Sequence, residues 1–188
     1  MNKTKPKSFD ELLESLDACS SAKEWSHKKG LKKAYSRCQR GDWLIWLLMR
    51  MSDEPNWPTR KQVLSVVCDI AETAFQYLPP SETRPRDAIQ TVRLYIIGKK
   101  TRKDCRRTVS ATYGESITST NAAANAAAFA ADAAFAAANA AANAADAAFA
   151  ATNAAAFAAD AANAAARTQK LKELADLIRS KIPCPTAI

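Results

Sequence analysis

The sequence predicts an all-α protein: a helical bundle with a long alanine-rich helix or helical hairpin, packed in the manner of a coiled coil. Three observations predict it. Apolar residues recur at helical spacing almost throughout, and no run alternates as a strand would. Residues 121–167 hold 32 alanines among 47 positions, and alanine is the strongest helix former. Between Gly114 and Pro183 neither glycine nor proline forces a break.

Each element has its own signal. Ser8 can cap a first helix carrying Leu12, Leu13 and Leu16, with Glu11 completing a capping box. A second helix is predicted over Ala22 to Cys38, weakened at Gly30 by about 1 kcal/mol relative to alanine. Gly41 reads as the stop of one helix and Asp42 as the cap of the next. That next helix, "DWLIWLLMRM", is apolar nearly all round and belongs at the centre of the core. Pro55 and Pro58 end it. From Lys61 to Leu78, the residues Leu64, Val67, Cys68, Ala71, Phe75 and Leu78 form one apolar stripe. Pro85 suits the first position of a helix running to Ile97, Arg84 before it is biased away from helix, and Gly98 is the stop. The basic "GKKTRKDCRR" then links into another helix.

In the alanine tract, the non-alanine stripe from Asn125 to Arg167 is spaced 4, 3, 3, 4 and repeats every 14 residues. Asp132, Asp146 and Asp160 stay in register, and so do Phe135 and Phe149. A repeat averaging 3.5 residues favours a left-handed supercoil against a partner segment. As one rod, residues 118–182 would extend roughly 97 Å at 1.5 Å per residue, too long for a compact domain of this size. A fold-back, cover by the basic half, or a homo-oligomer is therefore expected. The whole reads as one domain, with a basic helical region over 1–117, the alanine-rich region over 118–182 and a tail over 183–188.

The net charge is +8, and residues 1–117 carry all of it, with 22 Lys and Arg against 14 Asp and Glu. Such a surplus favours an anionic partner, whether nucleic acid, nucleotide, anionic lipid or acidic protein. Five cysteines without a CxxC pair and one histidine, His27, give no structural zinc or disulfide framework. The first 20 residues are too charged for a signal peptide, and the alanine tract is too weakly apolar to cross a membrane. A cytoplasmic protein without metal or cofactor is expected. No Ser/His/Asp or Cys/His arrangement and no phosphate-cradling glycine loop argues for an enzyme.

The stretches "ACSSAKEW", "CQRGDWLIWLLMRM" and "LPPSETRPRDAIQTVRLYIIGK", followed by an alanine-rich end, resemble the Imm-five-like immunity protein family of bacteria and phages. The likeness rests on Cys19, Ala22, Trp25, Gly41, Asp42, Trp43, Leu44, Leu47, Arg84, Pro85, Ala88, Ile89, Arg93 and Gly98. It runs over roughly residues 17–167. The resemblance implies an all-helical, non-enzymatic protein that neutralises something, and it supplies no catalytic residues. The lysine-rich segments Lys28 to Lys33 and Lys99 to Arg107 depart from the family pattern.

Charge and resemblance together point to an anti-defence protein that sequesters an anionic nucleotide-type immune signal. Arg84, Arg86, Arg93, Lys29 and Trp25 are the candidate contacts, because guanidinium groups grip phosphate in a fork and an aromatic face stacks a base. Core packing beneath a basic outer face explains the same residues more simply. Asp42 beside Trp43 reads as a helix cap with a core aromatic, or as the partner of Arg84 or Arg86. The alternatives are a protein that caps a toxin or defence enzyme, a nonspecific nucleic-acid binder, and, remotely, an ice-binding alanine helix.

Overall fold

A computed structural model of the chain describes residues 8–77, 80, 83–112 and 166–186, together with positions 136, 139, 140, 150, 153 and 157. The described residues form eight α-helices and no strand, as the hydropathy pattern predicts. These are α1 (Phe9–Ser15), α2 (Ser20–Ser26), α3 (Gly30–Arg37), α4 (Gly41–Arg50), α5 (Arg60–Glu72), α6 (Arg84–Ile96), α7 (Arg102–Thr112) and α8 (Arg167–Lys181). A short 3-10 turn, Phe75–Tyr77, follows α5.

The helix starts follow capping chemistry. Ser8 Oγ accepts the Glu11 N–H at 3.1 Å, and Thr59 and Gln62 form a reciprocal capping box on α5. Each such cap satisfies backbone donors that the helix itself leaves open. At the end of α6 the Gly98 N–H donates to the Tyr95 carbonyl at 3.0 Å and the Lys99 N–H to the Leu94 carbonyl at 2.8 Å. This is a Schellman closure, and it needs the left-handed backbone that Gly98 adopts at φ +79°.

Several boundaries differ from the sequence prediction. The helix expected over Ala22 to Cys38 is two helices, because Lys28 (φ +57°) and Gly30 (φ +68°) both turn left-handed between α2 and α3. Gly30 therefore opens a helix instead of weakening the middle of one. Gly41 is the first residue of α4, with Arg40 at the cap position and no side-chain cap bond, so Asp42 sits in the first turn. There its charge still complements the helix dipole. Arg84 is helical, and Pro85 falls one place later than predicted. The α5 stripe stops short of its predicted end, since Phe75 lies on the 3-10 turn and Leu78 lies outside the described residues.

α4 occupies the centre, as its all-round apolarity requires. Ile45 and Leu48 are fully buried, against Val63, Leu64, Val67 and Ile70 of α5 and Leu174, Ala175 and Ile178 of α8 in one core. Each such Val, Leu or Ile side chain contributes about 1.5–3 kcal/mol by leaving water. α5 packs on α6, and α6 on α7. In the alanine tract the six described positions are all helical. Ala136, Ala140 and Ala150 are buried in the same core, and Phe157 packs against it. At these positions the methyl face is covered. The candidate stripe residues Asp132, Asp146, Asp160, Phe135 and Phe149 lie outside the described residues.

Candidate functional site

The sequence brings three tryptophans to one place. α1, α2, α3 and the start of α4 enclose a cavity of about 320 Å³, walled by Leu13, Trp25, Tyr35, Trp43, Trp46 and Leu47 among others. Helical periodicity sets this wall: Trp43, Trp46 and Leu47 share a face of α4. The rings of Trp25 and Trp43 lie 6.2 Å apart, tilted at 59°, within the edge-to-face range that aromatic quadrupoles favour.

Cations cover both rings. Lys29 Nζ stands 4.8 Å from the centre of Trp25 and donates to the Trp25 carbonyl. The Arg40 guanidinium lies 4.5 Å over Trp43. The same guanidinium forks Asp42, with Nε donating to Oδ1 at 2.9 Å and Nη2 to Oδ2 at 2.5 Å. Asp42 is 5 % exposed, and a buried carboxylate needs such a partner. The hydrogen bond from Arg40 to Asp42 also holds the guanidinium's pKa above its ordinary value. This corrects the expectation that Asp42 reaches Arg84 or Arg86: its partner is two residues away in sequence.

Two of the candidate arginines of α6, Arg86 and Arg93, make different contacts within the fold. Arg93 donates to Glu72 Oε1 at 2.9 Å, Glu72 Oε2 at 2.7 Å and Asp69 Oδ1 at 2.7 Å, tying α6 to α5. These bonds, Glu72 first, raise its pKa despite partial burial. Arg86 instead lies 5.0 Å over the Phe75 ring and donates to the Phe75 carbonyl at 3.4 Å. Arg84 is half-buried at the start of α6. The phosphate clamp expected of Arg86 and Arg93 is thus replaced by an aromatic contact and an ion-pair triad.

Arg93 and Asp69 line a second cavity of about 640 Å³, between α5, the Asn56–Pro58 loop and the extended segment after α8. Lys181 Nζ reaches Asp69 Oδ2 at 3.7 Å there. Trp25 and Arg93 therefore face different cavities, and Lys29, Arg84 and Arg86 line neither of the two. Pro85 is buried in the first turn of α6 and Gly98 forms the closure described above, both structural in this setting.

Tyr35 and Arg179, the latter without any signal in the sequence, hold the C-terminal segment. Arg179 Nη1 donates to the Cys38 carbonyl at 2.7 Å and to the Tyr35 carbonyl at 3.2 Å, at the open end of α3. The Tyr35 hydroxyl donates to the Ile182 carbonyl at 2.8 Å. No sequence spacing signals contacts separated by more than 140 positions.

The sequence marks the turn between α6 and α7 only as a basic link. It presents Lys99, Lys100, Arg102, Lys103, Arg106 and Arg107, all exposed, beside Ile97, which is 63 % exposed. Among the described residues no group of three or more His, Cys, Asp or Glu side chains is placed to hold a metal, and no helix is long and apolar enough to cross a membrane.

In comparison with known proteins, residues 58–177 match the family described as Imm-5 like putative immunity protein. The matched span contains α5, α6, α7 and most of α8, with Arg84, Pro85, Ala88, Ile89, Arg93 and Gly98. It begins after the tryptophan cavity, so Cys19, Ala22, Trp25, Gly41, Asp42, Trp43, Leu44 and Leu47 precede it. No curated protein and no solved structure matches the chain.

Proposed function

The chain belongs to the Imm-5 like putative immunity protein family, and on that premise we propose that it neutralises a protein toxin by non-covalent binding, without catalysis of its own. The family match over residues 58–177 carries this reading. The exposed cations of α7 and of the turn before it supply a surface that an acidic protein would recognise, which gives orientation and a fast approach more than raw affinity. All five cysteines are free thiols, which suits a reducing compartment such as the cytoplasm.

The test is capture followed by co-expression. A protein recovered on the chain from its native cells should arrest growth when expressed alone in a bacterial host, and growth should return when the chain is co-expressed in comparable amount. A captured protein that is harmless alone, or whose toxicity the chain leaves unchanged, would sink the reading.

A second reading, sequestration of an anionic nucleotide, is favoured by one observation. Trp25 and Trp43 each pair an aromatic face with a cation, the combination that stacks a base and neutralises a phosphate. Against it, both faces already carry their cations, and Arg40 is engaged by Asp42. Native mass spectrometry of the chain purified from cells separates the two readings and also counts subunits. A retained mass of nucleotide size would favour sequestration, and a bare chain would favour the toxin reading.

A further inference from the structure

We propose that the turn joining α6 to α7 is the docking surface for the partner, and that the partner is an acidic protein surface with an apolar recess that receives Ile97. The inference rests on the toxin-binding reading above and names the contact within it.

The charge is the first observation. From Ile97 to Arg107 there are six cations and one carboxylate, Asp104. On α7, Arg102, Lys103, Arg106 and Arg107 fall on one half of the helix, while Cys105 on the other half is buried. More positive charge converges from α5. Lys61 Nζ lies 5.8 Å over the Tyr95 ring, and Arg102 Nε donates to the Tyr95 hydroxyl at 3.3 Å. Arg60 is held below the ordinary arginine pKa, by burial first and by the neighbouring Arg102 next. Accumulated like charge opposes the compact state unless something outside the fold uses it.

Rigidity is the second. The Schellman closure at Gly98 fixes the end of α6. Three residues on, the Thr101 N–H donates to Asp104 Oδ2 at 2.8 Å and the Asp104 N–H donates to Thr101 Oγ1 at 3.3 Å, a reciprocal cap on α7. Asp104 Oδ2 thus holds the turn while its Oδ1 accepts from Arg107 Nη1 at 3.4 Å, so the one carboxylate of the segment fixes the geometry in which the cations are presented. A preorganised surface loses less entropy on binding.

Ile97 decides between macromolecules. It is the one large apolar side chain strongly exposed among the described residues, and it is the C-cap of α6, where the turn begins. A nucleic-acid surface would offer it little, and the turn's own aromatic, Tyr95, is half-buried beneath Lys61 and Arg102 instead of open for stacking. Interfaces between proteins commonly place an apolar anchor in a pocket and ring it with polar contacts.

The experiment titrates the full chain with three probes: a glutamate-rich helical peptide bearing one row of leucines, the same peptide with glutamine for leucine, and a DNA duplex. The leucine peptide should bind more tightly than the glutamine peptide. Ile97→Ser should erase that preference without removing charge, and Ile97→Leu should keep it. The pair Lys99→Glu and Lys103→Glu should weaken both peptides about tenfold or more, a loss that added salt reproduces. Equal binding of the two peptides, an indifferent Ile97→Ser, or a preference for the duplex would overturn the proposal. The co-expression assay tests the other layer. Failure of the wild-type chain to rescue growth, with leucine-peptide binding intact, would remove the toxin reading and support the surface. Full rescue by the Ile97→Ser and double-glutamate variants would overturn the surface and keep the toxin reading.

Discussion

Gly41 of α4 lies against Leu174 of α8 so closely that a Cβ on Gly41 would fall 2.7 Å from the Leu174 Cβ, and 3.0 Å from both the Ala175 nitrogen and the Leu171 oxygen. Two of these three atoms are backbone, so relief requires α8 to move. Gly41→Ala should cost about 1–3 kcal/mol, the usual penalty of overpacking. A lowered urea midpoint at unchanged slope would show it. Gly30→Ala meets nothing within 4 Å but must hold φ +68°, so its cost of about 1–2 kcal/mol has a backbone origin.

The fold class was legible because it depends on local pattern. α4 is apolar on nearly every side, and that alone places Ile45 and Leu48 at the centre. Gly98 was legible for the same reason, being the one glycine after a long helical stripe. What escaped depends on segments far apart. Gly41 looks like a helix stop until Leu171 to Ala175 are brought against it, some 130 positions later. Charged residues show their numbers in sequence but not their partners. Arg93 reads in sequence as free for a phosphate, yet its Nε and Nη2 donate to Asp69 and Glu72 on the preceding helix. The break between α2 and α3 escaped because Lys28, a residue without turn preference, supplies one of the left-handed positions.

The Arg93 triad makes a prediction about α5 and α6. Replacing Arg93 by methionine keeps the apolar stem but leaves Asp69 and Glu72 facing each other, with only Lys181 nearby at 3.7 Å from Asp69. Glu72 is 39 % exposed, so solvent screens much of the loss. A double-mutant cycle with Glu72→Gln should give a coupling of about 0.5–1.5 kcal/mol. A coupling near zero would mean the fork contributes orientation and no net stability.

Tyr35 should make the fold sensitive to base. Burial, with Cys184 adding to it and Arg179 opposing, raises the phenol pKa well above its ordinary value. The folded state therefore prefers the protonated phenol. Its contribution is fully present below about pH 10, the unfolded value, and is lost as pH rises from there toward the folded value. Tyr35→Phe removes the bond to the Ile182 carbonyl, for about 1 kcal/mol at neutral pH. It should also flatten the decline of stability in alkali. Urea melts of both forms across that range check the sign: a Tyr35→Phe protein that declines as steeply as wild type would assign the alkaline loss to other groups.

The cysteines give a readout of where the structure opens first. Cys19 is exposed and Cys184 partly so, while Cys38, Cys68 and Cys105 are buried. Burial also pushes the Cys68 thiol up to about 12, so almost no thiolate, the reacting form, exists at neutral pH even when the site is briefly accessible. In the native state Cys19 should modify first and Cys184 more slowly. Cys68, fully enclosed on α5 between α4 and α6, should modify only as the whole core unfolds. Its rate in mild urea should then track the global unfolding free energy. Cys105 on α7 lies nearer the surface elements, and a Cys105 rate well above that of Cys68 would show α7 detaching from α6 before the core opens. Mass spectrometry of quenched time points distinguishes the sites, and early loss of Cys68 would contradict the packing described for α5.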